Sequence, residues 1–491
     1  MVTRAITRPP WGFYGRRDEL GRLQEILRRG RWFFLKVSGR RRIGKTSLIQ
    51  QALAAEGRQK VLYIQVPDSD PAGVVSAARD FYTLFKVAEP LPTDLRSLAS
   101  SIGQLARRGF VVAIDEFQYF HRKSLFEFTS HLQLEVYRLA RDAAQVRGGL
   151  IVLGSIHTEM AALLEDRGAP LFARVTNTLD VPHLDIASVL EILRAHAEPD
   201  AERLLLLWNL FEGVPKFYRD AYEEEVLGAD RDELLRELFF SSSSPLRTEA
   251  ENWFLRELRG RYDLVLKYIA RHPGCSNGDI GAHARSVEPE SEKQVGGYLK
   301  VLRERYRMVE QLQPIFAKTT ARSGRYYICD NFLRSWLAAL ATHAASVNFR
   351  PLEELVQEAG ERLADAEGHG LEKLVGTLYE ERSRKGLEGF RLTHRVQGFW
   401  DRGGTEIDLV ALNEGDRIVR LGTCKRSAER LAPDYARFDG HVARFVQLAN
   451  RVHGWHIEKV AIATRHTPGT RAAASRAGYL PQDLIDLTAG L

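Results

Sequence analysis

The stretch "FFLKVSGRRRIGKTSLI" at residues 33–49 constrains the fold of this 491-residue chain more than any other. An apolar run leads into a glycine-rich loop, and the loop leads into residues that favour a helix. Further apolar runs at 61–66, 110–114, 150–153 and 178–182 alternate with helix-like stretches. Apolar strands that alternate with helices indicate a parallel sheet covered on both faces. The sequence therefore predicts an N-terminal α/β domain.

The glycine-rich loop reads Gly39-x-x-x-x-Gly44-Lys45-Thr46. Its glycines would let backbone N–H groups wrap phosphate oxygens, and the helix N-terminus adds positive potential. Lys45 would reach the β- and γ-phosphates, and Thr46 would hold Mg²⁺. A coincidental glycine-rich turn is the alternative, but strand, loop, Lys-Thr pair and helix stand in the required order. We predict that ATP and Mg²⁺ bind here, on Gly39, Arg40, Arg41, Arg42, Ile43, Gly44, Lys45, Thr46 and Ser47.

Later segments carry candidate catalytic residues. In "VVAIDEF", Asp115 would bind the Mg²⁺ shell and Glu116 would polarise the attacking water, although adjacent acids also occur in solvated turns. Ser155 in "LIVLGSIH" would hydrogen-bond the γ-phosphate or that water, although a small polar residue there is usually a helix N-cap. Surface arginines are common, but Arg174 in "APLFARVTN" would stabilise transition-state charge in a neighbouring subunit. Hydrolysis would then depend on self-association into an oligomer.

These motifs resemble those of archaeal-type P-loop ATPases in the STAND branch, which is related to AAA+ proteins. The resemblance covers roughly residues 11–240, with "FYGRRDEL", "GRRRIGKTS", "AIDEF", "LGS" and "GVPKFY" in the family's order. It implies that Tyr14 and Arg16 lie near the adenine and that Pro215 in the lid senses the nucleotide. Pro215 at a helix start is also explained by helix geometry alone.

The chain is too long for one hydrophobic core, because single cores stop growing at roughly 250–300 residues. We predict a P-loop core (1–183), a helical lid (184–245), a helical module (246–349) and an α/β tail (350–491). There is no run of eighteen apolar residues and no signal-peptide pattern, so we expect neither a membrane span nor a secreted protein. The three cysteines have no C-x-x-C spacing, which fits a reducing cytoplasm.

The helical module reads as helix, turn and helix over 263–284, followed by a helix with the apolar stripe Val295, Tyr298, Leu299 and Leu302. It resembles a winged helix-turn-helix, whose third helix enters the major groove of DNA. The net charge of +6 mildly favours a polyanionic partner. Alternatively, the module only joins two domains and its basic face is solvated. We predict DNA contacts from Lys293, Lys300, Arg303, Lys318, Arg322 and Arg325.

The tail reads as a helix with Glu372 near its start, the strand "GGTEIDLVAL", the turn "NEGD" and the strand "RIVRLGTCKRS". Strand alternation puts Thr423 and Lys425 on one face, and likewise Glu406 and Asp408. This order resembles the PD-(D/E)xK nucleases, which have a restriction-endonuclease-like α/β fold. The resemblance implies that Asp408 is a metal ligand, that Glu372 is an outer or second ligand, and that Lys425 stabilises the water or leaving phosphate.

Thr423 departs from the nuclease pattern, which has a carboxylate at this position. Mg²⁺ is usually fixed by one or two carboxylates plus phosphate oxygens, and a hydroxyl brings no charge to hold it. Glu406 could replace the missing acid, or it could be a solvated strand end. A site without cleavage could still grip a DNA backbone through Lys425 and Arg426.

The predicted function is a cytoplasmic, DNA-associated ATPase whose nucleotide state controls assembly or action on DNA. Two other interpretations stay open. One is a nucleotide-dependent signalling or defence scaffold with little turnover, and the other is an ATP-gated DNA nuclease.

Overall fold

The computed structural model describes residues 9–57, 60–88, 90–155, 157–249, 262–288, 293–318 and 323–491. The chain forms two compact units. Of the described residues, those within Gly15–Leu184 and Val214–Lys216 form the P-loop unit, and all the others form the C-terminal unit. The predicted helical module and tail both fall within the C-terminal unit, as does most of the predicted lid.

The P-loop unit is a five-stranded parallel sheet with helices between its strands, which confirms the predicted α/β domain. Its strand order is β2-β3-β4-β1-β5, so the strand before the glycine-rich loop lies inside the sheet. In chain order its elements are α1 (Arg17–Arg28), β1 (Phe33–Ser38), α2 (Lys45–Ala55), β2 (Val61–Gln65), α3 (Pro71–Leu84), α4 (Leu95–Arg107), β3 (Val111–Asp115), α5 (Glu127–Arg141), β4 (Gly149–Gly154), α6 (His157–Leu164) and β5 (Asn177–Asp180).

The sheet forms because its strands bury side chains on both faces. Every residue of β1, β3 and β4 is buried. Aromatic residues such as Phe34, Tyr82 and Phe128 fill the layers between sheet and helices. Each large apolar side chain buried in this way contributes roughly 1.5–3 kcal/mol. The carboxyl ends of β1, β3 and β4 are thereby held side by side at one edge of the sheet.

The first part of the C-terminal unit is mainly helical. Its elements, with the helix that begins at Pro215, are α7 (Ile186–His196), α8 (Ala201–Phe211), α9 (Pro215–Glu223), α10 (Arg231–Leu235), α11 (Asp263–Arg271), α12 (Asn277–Val287), α13 (Val295–Glu304), β6 (Val309–Leu312), β7 (Arg325–Ile328), α14 (Asn331–Ser335) and α15 (Ala341–Ala344). β6 and β7 form an antiparallel ribbon, and a bridge from Cys275 to Tyr326 adds a short third segment to it. Three helices are thus followed by a small sheet.

The tail is a second five-stranded sheet, with the order β12-β11-β10-β9-β8. β8 to β10 pair antiparallel, whereas β10, β11 and β12 run parallel. Its elements are α16 (Leu352–Arg384), β8 (Gln397–Trp400), β9 (Glu406–Asn413), β10 (Ile418–Ser427), α17 (Tyr435–Leu448), β11 (His456–Arg465), α18 (Pro468–Arg476), β12 (Leu480–Asp483) and α19 (Leu484–Thr488).

The long helix α16 corrects one expectation about the tail. Glu372 lies well inside this helix rather than near its start, because an apolar stripe that includes Leu355, Ala359 and Leu363 is buried and continues the helix toward its N-terminus. Among the described residues, no helix is both long and apolar enough to cross a membrane.

Candidate nucleotide and carboxylate sites

The loop between β1 and α2 has the backbone of a phosphate cradle. Gly39 has φ +154°, and a Cβ there would lie 2.6 Å from the carbonyl oxygen of Val181. Gly44 has φ +88° and is the N-cap of α2. A glycine has no side chain to cap the helix, so the first N–H groups of α2, which lack intrahelical acceptors, remain available at the loop. This backbone fits an anionic phosphate group.

Lys45 folds back over the loop. Its Nζ donates hydrogen bonds of 3.0 Å to the carbonyl oxygens of Gly39 and Arg40. Burial lowers the pKa of Lys45, while Asp115 and Glu116 act in the opposite direction. A buried ammonium at a helix N-terminus gains from an anionic partner, so its chemistry also fits a phosphate.

Thr46 and Asp115 form a cluster of hard oxygen donors. The Thr46 hydroxyl donates to Asp115 Oδ2 over 2.6 Å, and the backbone N–H of Glu116 donates to Oδ1 over 2.8 Å. The hydroxyl of Tyr63 also donates to Asp115 Oδ2. Hydroxyl and carboxylate oxygens are the ligands that Mg²⁺ prefers, so these residues fit the predicted ion. Sequence reasoning missed Tyr63, because a tyrosine inside an apolar strand carries no local signal.

Glu116 occupies a left-handed backbone conformation with φ 54° directly after β3. Gln118 Nε2 donates to Glu116 Oε2, and Ser155 Oγ donates to the same oxygen over 3.4 Å. Because β4 lies between β1 and β3, Ser155 at its end can reach Glu116. The structure therefore brings Lys45, Asp115 and these three side chains to one edge of the sheet. Gln118 was not predicted, although it lies only two residues after Glu116.

Of the other predicted nucleotide contacts, Arg16 and Pro215 lie at the glycine-rich loop and Tyr14 lies in the C-terminal unit. The Arg16 guanidinium donates to the carbonyl oxygen of Ile43 over 3.1 Å and so braces the loop. The Pro215 ring lies 3.5 Å from where a Cβ on Gly44 would be. Tyr14 belongs to the C-terminal unit, where its hydroxyl contacts His196 Nε2.

The remaining P-loop residues and Arg174 have less informative positions. Arg41 and Ser47 are exposed, Arg40 is half-buried, and Arg42 has φ 65°. Arg174 Nε donates over 3.2 Å to the carbonyl oxygen of Pro170 in its own chain. Its role toward a second subunit stays a prediction.

Comparisons with known proteins support this fold. A Walker-type ATPase of Pyrococcus abyssi matches 66% of this chain and 96% of its own, with 18% identity and a TM-score of 0.51. The P-loop unit of this chain therefore has the fold of a P-loop ATPase domain. An uncharacterized protein of Methanocaldococcus jannaschii is 25% identical over 414 residues, which are 82% of this chain and 85% of that protein. The ORC2 protein of Aeropyrum pernix, solved with ADPNP and ADP, matches 74% of this chain and 96% of its own, with 14% identity and a TM-score of 0.43. No family model matches.

The tail of the chain has a carboxylate site, which we define as Glu372, Glu406, Asp408 and Lys425. Asp408 Oδ2 accepts hydrogen bonds from the backbone N–H of Cys424 at 2.8 Å and from the Thr423 hydroxyl at 3.4 Å. Thr423 therefore satisfies the remaining acid instead of supplying a second one.

Burial and mutual repulsion raise the pKa values of Glu372 and Asp408. Burial, followed by the charge of Glu372, raises the pKa of Asp408 to about 7. Burial, followed by the charge of Glu406, raises the pKa of Glu372 to about 7, although 35% of its side chain is exposed. Lys425 opposes both shifts, but its Nζ lies 3.6 Å from Asp434 Oδ2.

Glu406 is engaged by an arginine rather than held with the other two acids. Its side chain is 54% exposed and forms an ion pair with Arg325 on β7. Within the described ranges, Glu372, Glu406 and Asp408 do not bring three ligand oxygens within 4.8 Å of one another. With only two carboxylates near each other, the site would hold a divalent cation more weakly than a site with three acids.

The predicted DNA contacts divide into two groups. Lys293, Lys300, Arg303 and Lys318 are exposed. Arg325, by contrast, pairs with Glu406 and lies 4.7 Å from the ring centroid of Trp400. Arg322 lies outside the described residues.

Proposed function

We propose that this protein binds ATP with Mg²⁺ and hydrolyses it, and that its nucleotide state controls assembly or action on DNA. The observation that carries the proposal is the convergence of Lys45, Thr46, Asp115, Glu116 and Ser155 at the carboxyl edge of one parallel sheet. Ligands bind outside the carboxyl ends of the strands in open α/β sheets of this kind.

Each residue has a role that its position supports. Lys45 and the N–H groups of α2 bind the phosphates, and Thr46 with Asp115 would hold Mg²⁺, which neutralises phosphate charge when bound. Glu116 orients the attacking water and accepts hydrogen bonds from Gln118 and Ser155. Gln118 and Ser155 therefore act as positioning residues.

Steady-state phosphate release from the full chain tests the ATPase. We expect Lys45→Ala to lose ATP binding and Glu116→Gln to keep binding while losing turnover. Glu127→Gln, which neutralises an exposed acid at the start of α5, is the matched control and should behave like the wild type. Wild-type protein that neither binds nor hydrolyses ATP, with or without DNA, would refute the assignment.

We further propose that the three helices and ribbon of residues 263–328 form a winged helix-turn-helix that contacts DNA. Val295, Leu299 and Leu302 of α13 are buried, which leaves its basic residues exposed. Space around Gly296 and Gly297 is open to 4 Å, so a DNA backbone could approach closely. Because Arg325 is engaged by Glu406, the exposed face of α13 is the better-supported surface.

The tail has the helix, sheet and acid placement that support a PD-(D/E)xK-like domain, and we propose that it grips DNA rather than cleaves it. Two observations favour this role: Thr423 occupies the usual acid position, and Glu406 pairs with Arg325. If the protein instead nicks DNA in the presence of Mg²⁺ or Mn²⁺, and Asp408→Ala loses this activity, the interpretation as an ATP-gated nuclease would be favoured.

One comparison separates a DNA-dependent ATPase from a signalling scaffold. ATPase rate should be measured with and without duplex and single-stranded DNA, together with particle mass in each nucleotide state. We expect DNA to stimulate turnover. Near-zero turnover with ATP-induced oligomers would favour the scaffold, and failure of both responses would remove control by nucleotide state.

A further inference from the structure

A cleft of about 440 Å³ lies in the C-terminal unit, between the end of α11, the helix α14 with its continuation, and α16. Its charged lining consists of Arg271, Arg334, Arg362 and Asp365, and His369 completes one wall. We call it the arginine cleft. Its volume is in the range of sites for nucleotide-sized ligands, about 300–1,000 Å³. None of its residues belongs to the P-loop.

Arg334 is a buried cation without a carboxylate partner. The residue is only 3% exposed, and its Nη2 donates to the neutral amide oxygen of Asn209. Its Nε is buried with no hydrogen-bond acceptor, and within the described ranges no carboxylate oxygen lies within 4.0 Å of its guanidinium. Burial lowers the pKa of Arg334 to about 10. Glu212, Glu372 and Asp330 act in the opposite direction from a distance, but burial outweighs them, so a further anion would still stabilise this buried charge.

The packing around Arg334 is close. A side chain at Gly370 of α16 would collide with the amide of Asn209 and come within 3.3 Å of Arg334 Nη2. The helix that passes the arginine therefore needs a glycine at the point of contact. This packing keeps the guanidinium in place at the wall of the cleft, as a binding site requires.

The rest of the cleft lining has more cationic than anionic side chains. Arg271 and Arg362 are exposed, and over the parts of the chain that are described neither forms an ion pair within 4 Å. Asp365 is the single acid in the lining. Three guanidinium groups thus face one carboxylate.

We propose that the arginine cleft binds a small phosphate-bearing anion of nucleotide size, distinct from the nucleotide on the P-loop. Guanidinium groups match phosphate oxygens in planar, paired hydrogen bonds, and the buried charge of Arg334 at the wall attracts the anion. Arg271 and Arg362 close over the remaining charge from the rim. Asp365 accepts a hydrogen bond from a hydroxyl group of the ligand, as a sugar would supply.

The cleft also adjoins the carboxylate site. His369 Nδ1 lies 3.2 Å from Glu372 Oε2, one helical turn further along α16. His369, which lines the cleft, would therefore link the bound anion to the carboxylate site. This placement would let the ligand influence DNA binding by the tail without touching it.

Isothermal titration of the full chain tests the proposal in a Lys45→Ala background, which silences the P-loop. The probes are inorganic phosphate, pyrophosphate, AMP and the linear dinucleotide pApA. We expect at least one probe to bind with a stoichiometry of one per chain. Each of the single variants Arg271→Ala and Arg362→Ala should bind that probe at least tenfold more weakly. Arg384→Ala is the matched control, because this arginine is 66% exposed near the end of the same helix, and it should not change binding.

The variants and probes give separate outcomes. Arg334→Met should abolish binding while circular dichroism stays unchanged, and if that variant does not fold, the two rim arginines decide the matter. If phosphate binds as tightly as AMP and pApA, the cleft recognises the phosphate group alone. Tighter binding of AMP or pApA would show that the cleft also recognises the nucleoside. No saturable binding to any probe would overturn the proposal. Binding that none of the three arginine substitutions weakens would also overturn it.

Discussion

Replacing Asp408 by asparagine should stabilise the tail at alkaline pH, because it removes one of two repelling buried acids. The asparagine oxygen can still accept from the backbone N–H of Cys424, so the substitution removes charge more than contacts. A rise of the Asp408 pKa from 3.8 to about 7 is equivalent to about 4 kcal/mol at most, at about 1.4 kcal/mol per pKa unit. Partial exposure of Asp408 to solvent and proton sharing with Glu372 reduce this, and we expect about 1–2 kcal/mol.

The sign follows from a raised pKa in the folded state. Below the unfolded pKa near 4, both states hold the proton and the acid costs nothing. Between that pH and about 7, the unfolded chain releases the proton while the folded tail keeps it, so the wild type loses stability as pH rises. The gain from Asp408→Asn should therefore grow from pH 5 to pH 8.

The assay is urea unfolding in EDTA, read by hydrogen exchange of peptides from β9 and β10 so that the tail is followed separately. Asp439→Asn is the control of opposite sign. Burial acts to raise the pKa of Asp439, but hydrogen bonds from Lys459 and Tyr479 outweigh it and lower this pKa, so its loss should destabilise the tail at pH 8. Adding Mg²⁺ at pH 8 should then stabilise wild type more than Asp408→Asn. An equal gain from Asp408→Asn at pH 5 and pH 8 would refute the electrostatic reasoning.

Three further substitutions test the nucleotide site and α13. Tyr63→Phe removes a hydrogen bond to Asp115 and should lower the free energy of unfolding of the nucleotide-free protein by about 1.5–3 kcal/mol. Urea unfolding measures this change, and an unchanged urea midpoint would argue against the hydrogen bond. Gln118→Ala should lower kcat about tenfold at constant KM, because Glu116 loses a positioning donor; an altered KM alone would contradict this role. Gly296→Ala should stabilise α13 by about 0.5–1 kcal/mol while weakening DNA binding, and unchanged affinity would remove the close backbone approach.

The nucleotide site was predictable because its signals are local. Each predicted strand of the first domain lies within about two residues of the observed one, since β1, β3 and β4 are buried along their whole length. The loop and the acid after β3 need only neighbouring residues to be recognised. Their convergence follows from parallel strands, whose carboxyl ends share one edge.

Long-range pairings were not predictable in the same way. The partner of Arg325 is Glu406, which is 81 residues away, and no local pattern joins them. Thr423 was recognised as a departure, but its bond to Asp408 depends on the register between β9 and β10. Arg334 had one overlooked signal: it is a single charge in the apolar run "FLRSWLAAL".

Two buried acids of α16 bear on how the lid and tail can move. Glu367 is 1% exposed and bonds Arg231 of α10 at 2.6 Å and Arg426 of β10 at 2.7 Å. Glu381 is 2% exposed and caps α7 by accepting from the N–H groups of Ile186 and Ala187. Breaking such a buried pair costs roughly 3–5 kcal/mol, so lid helices do not slide cheaply over α16. Movement of α7 or α10 would therefore carry α16 and its acids along.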